Sequence, residues 1–170
     1  MGQVVPQGWQ KLGHVIYKAN VDGIIFRSEG KMGVRAIVRD GEGKVMGALS
    51  EKMPGRLAVE EVEALAMRRV VLFVQEIGLS EVVFEGDSSI FIAALYEDRE
   101  NLSPLGHIVE DLKDLASSFQ FCQWSHTKRV NNEATHLLDC SAIHLDSYRV
   151  SLEEIPDPIV SVVLRDISVS

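Results

Sequence analysis

Hydrophobic and polar positions alternate loosely from Val15 to Asp22, again from Met32 to Arg39, and again from Lys44 to Ser50. Each run reads as a β-strand with side chains leaving alternate faces. Asp40-Gly41-Glu42-Gly43 between the second and third runs is a tight-turn signal. Together the three strands predict an antiparallel meander, with Gly23 to Gly30 as a connection. The period then changes. Val59, Val62, Ala66, Val70, Phe73 and Ile77 recur at three- and four-residue steps, which marks the apolar face of a helix ending at Gly78. Glu81 to Gly86 predicts a short buried strand. Asp87-Ser88-Ser89 offers N-cap chemistry for a helix through Tyr96, and Ser103-Pro104 opens another with Ile108, Val109, Leu112 and Leu115 as its stripe. Phe119 to His126 predicts a fifth strand, and Asn131 to about Leu145 a final helix.

A strand–helix–strand crossover makes the later strands parallel to a neighbour. The expected architecture is therefore α/β, a mixed five-stranded sheet with three antiparallel strands followed by two parallel ones and helices on both faces. Residues 1–14 form an irregular lead-in, 15–147 the domain, and 148–170 a tail. The tail's Ile159, Val160, Val163, Leu164 and Ile167 follow two prolines and read as a short helix docked on the domain; a partner-binding helix is the other reading.

The 170 residues fit one domain, and an apolar content of 46% supplies a core. The longest clean apolar run, Val70 to Val74, is far too short to span a bilayer, so no membrane association is expected. The start has no basic segment followed by an apolar one, so the chain is expected to be intracellular and not secreted, with the compartment unspecified. Cys122 and Cys140 lack metal-type spacing and read as small buried hydrophobes in a reducing environment. A monomer is expected.

Three carboxylates change the picture. Asp22 closes an apolar run, Glu63 lies on the first long helix, and Asp87 ends the fourth strand. Such positions suit a fold that gathers acids around divalent metal ions, the arrangement that hydrolyses phosphodiesters by a two-metal clamp. Each residue also has a plainer reading. Asp22-Gly23 favours turns, Glu63 could be a solvated helix residue like Glu60 and Glu61, and Asp87 could only cap a helix. The formal charge of −8 runs against tight binding of a polyanion, although bound cations would neutralise part of it.

The element order and five segments resemble ribonuclease H, and more narrowly the plant reverse-transcriptase-like ribonuclease H domains. The segments are Lys18-Ala19-Asn20-Val21-Asp22-Gly23, Ile37 to Gly43, Glu63-Ala64-Leu65-Ala66, Phe84-Glu85-Gly86-Asp87-Ser88 and Ser125-His126. The resemblance implies a metal-dependent endoribonuclease that cuts the RNA strand of RNA–DNA hybrids, with Mg²⁺ or Mn²⁺ as cofactor and a hybrid or other nucleic acid as partner. It implies Asp22, Glu63 and Asp87 as metal ligands. The family's fourth acid falls at His136, and His126 matches a histidine in the loop before the last helix that shuttles protons or assists product release.

Gly23, Gly33, Arg35, Lys128 and Arg129 are the candidate nucleic-acid contacts. The family often has Gly-x-Gly on its second strand, whereas Gly33-Val34-Arg35 keeps only the first glycine, so Arg35 either obstructs or contacts phosphate. Lys128-Arg129 reads either as a phosphate contact or as a solvated pair, and His136 either as a ligand or as a structural histidine. Imidazole at position 136 removes a negative charge and suits softer metals than Mg²⁺. The alternative function is a catalytically weak or inactive nucleic-acid-binding or protein-interaction module on the same fold.

Overall fold

The structure, a computed structural model, describes residues 16–55, 58–127 and 147–151. The elements follow in the order β1 (Tyr17–Phe26), β2 (Lys31–Arg39), β3 (Val45–Pro54), α1 (Val59–Glu76), β4 (Glu81–Gly86), α2 (Ser89–Leu95), α3 (Pro104–Ala116), β5 (Phe121–His126) and β6 (Ser147–Ser151). They form one sheet in the order β5-β4-β1-β2-β3-β6. β1, β2 and β3 are the expected antiparallel meander, and β4 and β5 add in parallel beyond β1.

Two features differ from the expectation. β1 runs on to Phe26, because Gly23 to Phe26 pair with Val34 to Lys31 and close a hairpin; the Asp-Gly step lies inside a strand instead of turning it. A sixth strand, β6, pairs antiparallel with β3 from Gly47 to Glu51, where a tail was expected to begin. The expected last helix from Asn131 to about Leu145, the tail helix and the lead-in of residues 1–14 lie outside the described residues.

Local chemistry accounts for the helix boundaries. Glu61 at the third helical position of α1 accepts a hydrogen bond from the Ala58 N–H at 3.3 Å. Gly78, at φ +81°, takes the left-handed conformation that ends α1. Ser88 Oγ accepts from Phe91 N–H at 3.3 Å and so caps α2. Ser103 Oγ does the same for Gly106 of α3, with Pro104 in the first turn.

The core lies between α1 and the sheet. Val62, Ala66, Val70 and Phe73 are buried as expected, Val59 at the head of the expected stripe is exposed, and Ala64, Met67, Val71 and Val74 are buried too. The apolar face of α1 is wider than one stripe because Val109 and Leu112 of α3 join the same core. From the sheet, Ala19, Val21, Val34, Ala36, Val38, Val82 and Phe84 close it. Every residue from Met32 to Val38 is buried, so both faces of β2 are covered. A part-buried ion pair, Arg69 Nε to Glu51 Oε2 at 2.7 Å, ties α1 to β3. At the other sheet edge, the Tyr96 hydroxyl donates to the Trp124 carbonyl and accepts from the Trp124 N–H at 3.0 Å.

Cys122 is a free, half-buried thiol whose pKa burial pushes up to about 12. No helix among the described residues is long and apolar enough to cross a membrane.

Phe84 is fully buried, and its ring meets Phe119 edge-on at 5.6 Å and Trp124 at 5.4 Å. Phe84→Ala removes the ring that joins β4, β5 and the turn after α3. It is expected to cost about 3–5 kcal/mol in urea unfolding.

Candidate metal centre

The acidic cluster forms where β1 and β4 stop pairing. Their parallel ladder runs from Tyr17–Val82 to Asn20–Glu85. Asp22 lies two residues further along β1, and Asp87 two residues further along the other chain segment. Glu63 comes from the second turn of α1, which crosses the sheet at Gly23. A Cβ on Gly23 would lie 3.0 Å from Val62 Cγ1, 3.1 Å from the Val62 carbonyl oxygen and 3.2 Å from Ala66 Cβ. Gly23 therefore lets the first turns of α1 settle on β1, which brings Glu63 to the two aspartates.

One carboxylate oxygen from each of Asp22, Glu63 and Asp87 lies within 4.8 Å of the others, and all three residues are half-buried. Metal–oxygen bonds of about 2.0–2.1 Å put ligand oxygens roughly 3 to 4 Å apart around an octahedral Mg²⁺. Small side-chain rotations close the remaining gap. A set of three carboxylates is a hard, anionic donor set, which fits Mg²⁺ or Mn²⁺.

The Glu63 carboxyl, buried beside the two aspartates, has its pKa pushed up to about 8. Burial is the largest cause, followed by the negative charges of Asp87 and Asp22; a hydrogen bond to the Gly23 backbone opposes them. Without a cation, Glu63 keeps a proton near neutral pH and shares it with Asp87 in a side-chain hydrogen bond. Asp87 is not the helix cap, since Ser88 performs that task. Glu60 is exposed on the first turn of α1, as expected of a solvated acid.

His126 stands beside the cluster. Gly86 pairs with His126 in the β4–β5 ladder, and Thr127 N–H donates to the Gly86 carbonyl at 2.9 Å. The exposed His126 ring lies with Nε2 3.1 Å from the Asp87 carbonyl oxygen. Nε2 carries the proton in that hydrogen bond, which leaves Nδ1 as the acceptor of a neutral ring.

Three of the expected nucleic-acid contacts have other tasks. Gly23 is packed beneath α1. Gly33 is buried, and a Cβ there would meet Ile24 Cγ2 at 2.6 Å and Phe26 Cε2 at 2.9 Å, so neighbouring side chains fill the space over it. Arg35 is 0% exposed, with its guanidinium 5.8 Å from the centre of the Phe26 ring. Of the two readings of Arg35, obstruction or phosphate contact, its burial favours the first. Lys128, Arg129 and His136 lie outside the described residues.

Two polar residues with no role assigned from sequence sit immediately behind the acids. Asn20 is 5% exposed and donates from Nδ2 to Glu85 Oε2 at 2.9 Å. A buried amide in the middle of a strand, two residues before an acid, was the available signal.

The raised Glu63 pKa sets the direction of a pH effect. The metal-free folded protein holds a proton that the unfolded chain releases above 4.5. The stability from Glu63 is therefore complete below 4.5 and is lost as pH rises through about 8. A cation competes with that proton. The rise in melting temperature on adding Mn²⁺ is expected to be larger near pH 8.5 than near pH 5.5. Scanning fluorimetry in chelator and in Mn²⁺ measures it; equal shifts at both pH values contradict the metal assignment. Glu63→Gln should flatten the pH dependence in chelator.

The profile of the family described as Reverse transcriptase-like matches residues 20–139. A search of curated proteins finds no match. Among solved structures, the chain is similar to ribonuclease H1 from Halobacterium salinarum, with 20% identity, a TM-score of 0.63, and 69% of this chain and 89% of that one covered. It is similar to the N-terminal ribonuclease H domain of a Mycobacterium tuberculosis protein, with 18% identity, a TM-score of 0.63, and coverage of 77% and 99%. It is also similar to LC11 ribonuclease H1, a compost metagenome protein solved with an RNA/DNA hybrid, with 17% identity, a TM-score of 0.60, and coverage of 72% and 91%. These likenesses show the ribonuclease H fold. With the family profile spanning β1 through β5, the chain belongs to the reverse transcriptase-like family.

Proposed function

We propose that this chain is a divalent-metal-dependent endoribonuclease acting on the RNA strand of RNA–DNA hybrids. The convergence of Asp22, Glu63 and Asp87 within 4.8 Å carries the reading. The fold it shares with a ribonuclease H1 solved in complex with an RNA/DNA hybrid supports it. Bound Mg²⁺ or Mn²⁺ would supply Lewis-acid chemistry, activating a water and offsetting charge on the phosphate.

The chain's own residues do the rest. Asp22, Glu63 and Asp87 would hold the cation. Water oxygen forms the new bond to phosphorus in line with the departing 3′ oxygen, leaving a 5′ phosphate and a 3′ hydroxyl. His126, held through its Nε2 to the Asp87 carbonyl, would take up a proton from solvent at Nδ1 and pass it to the leaving oxygen, or assist product release. Recognition would read duplex shape and the 2′-hydroxyl in the minor groove.

A second reading, a nucleic-acid-binding module with little catalysis, is favoured by the covered Gly33, the buried Arg35 and the net charge of −8. Hybrid binding that needs no metal and is unchanged by Asp22→Asn would select it.

Cleavage of a labelled hybrid with metal titration tests the first reading. Asp22→Asn is expected to lower the rate by at least about 100-fold, since it removes a direct ligand. No cleavage by the unaltered protein in either metal rejects the proposal. His136 occupies the position of the family's fourth acid, so activity should be better in Mn²⁺ than in Mg²⁺, and His136→Asp should raise the Mg²⁺ rate. An equal or lower Mg²⁺ rate removes position 136 from the ligand set.

A further inference from the structure

Asn20 and Glu85 form a polar pair that the proposed reaction does not use. They are the last partners of the parallel β1–β4 ladder. Past them β1 continues against β2 to Phe26 but no longer pairs with β4. The two strands part there, and Asp22 and Asp87 stand at the opening. Asn20 Nδ2 donates to Glu85 Oε2 at 2.9 Å across the two strands. The other Glu85 oxygen, Oε1, lies 3.2 Å from Lys18 Nζ. Asn20 is 5% exposed.

A buried carboxamide costs stability unless its hydrogen bonds are satisfied, and an apolar residue would fill the same volume at less cost. Its placement makes sense as a tie. It spans the two strands that carry the aspartates at the last point where main-chain bonds hold them together. It also occupies a Glu85 oxygen. The charges that raise the Glu63 carboxyl are those of Asp87 and Asp22, not that of Glu85.

We propose that Asn20 is a positioning residue for the metal centre: its carboxamide, bonded to Glu85, sets the spacing of β1 and β4 where they diverge and so holds Asp22 and Asp87 at ligand distance from one cation. This rests on the assignment of Asp22, Glu63 and Asp87 as metal ligands.

Exchanging the two functional groups tests it. Asn20→Asp sets a carboxylate against Glu85 and breaks the tie. Glu85→Gln keeps a neutral acceptor for Asn20. The double variant, Asn20→Asp with Glu85→Gln, restores the hydrogen bond with donor and acceptor exchanged, at wild-type volume and charge. Mn²⁺ affinity is read by calorimetry, beside melting temperature in chelator and hybrid cleavage. Asn20→Asp is expected to weaken Mn²⁺ binding about 10- to 100-fold, as loss of a ligand-orienting hydrogen bond does. Glu85→Gln should cost less, and the double variant should recover most of the affinity.

If Asn20→Asp does not fold, Asn20→Ala, which loses the donor without adding charge, carries the same expected loss. A folded variant with wild-type or tighter Mn²⁺ affinity overturns the positioning role, whatever its melting temperature. A double variant as weak as Asn20→Asp also overturns it. Failure of the unaltered protein to bind Mn²⁺ overturns the ligand assignment itself, and positioning with it, whereas binding without cleavage leaves positioning intact and rejects only the nuclease reading.

Discussion

Three carboxylates held within 4.8 Å repel one another, and the rest of the fold supplies the restraint that keeps them there. Asp22 is fixed by the central strand, which is paired on both sides up to Asn20. Glu63 is fixed by α1, which rests on Gly23 and is anchored to β3 through Arg69 and Glu51. Asp87 is fixed by the end of β4 and by Ser88, which caps α2 and so spares the aspartate that task. The Glu63 carboxyl is pushed up to about 8, by burial first and then by the charges of Asp87 and Asp22.

The surroundings divide sharply. On the β5 side, His126 is held against the Asp87 main chain and stays exposed. On the β2 side, Ile24 and Phe26 close over Gly33, and the Arg35 guanidinium and Lys52 Nζ lie 5.8 Å and 4.8 Å from the centre of the Phe26 ring. Cations stacked on an aromatic ring and ordered by the strand are less free to follow a phosphate backbone. The positive charge of this part of the sheet is thus used internally.

Much of this was legible in the sequence because periodicity and register report the same physics. The α1 stripe, the turn at Asp40, the capping segment from Asp87 to Ser89 and the cap at Ser103 depend on neighbours a few residues away, and all were readable, though which of the three residues from Asp87 to Ser89 caps α2 was not. Asp22 and Asp87 stood out as charges closing apolar runs, whereas Glu63, one of several glutamates on α1, stood out only through the resemblance. What was missed depends on distant partners. The Asp22-Gly23 step looks like a turn until β2 is laid beside it. Ser147 to Ser151 is a strand because β3 offers it a free edge, and five mixed residues carry little signal alone. Arg35 looks available on paper, and only the packing of Phe26 and Gly33 shows where it goes. The tie between Asn20 and Glu85 joins residues that are 65 apart in sequence.

The Tyr96 hydroxyl has a consequence for how the molecule behaves among its own kind. β5 is an outer strand, and its Trp124 turns both a donor and an acceptor outward, the two groups with which a foreign strand would zip on. One phenolic oxygen engages both. It acts as a stopper at the rim of the sheet, and its loss would expose a template for self-association two residues along the strand from His126.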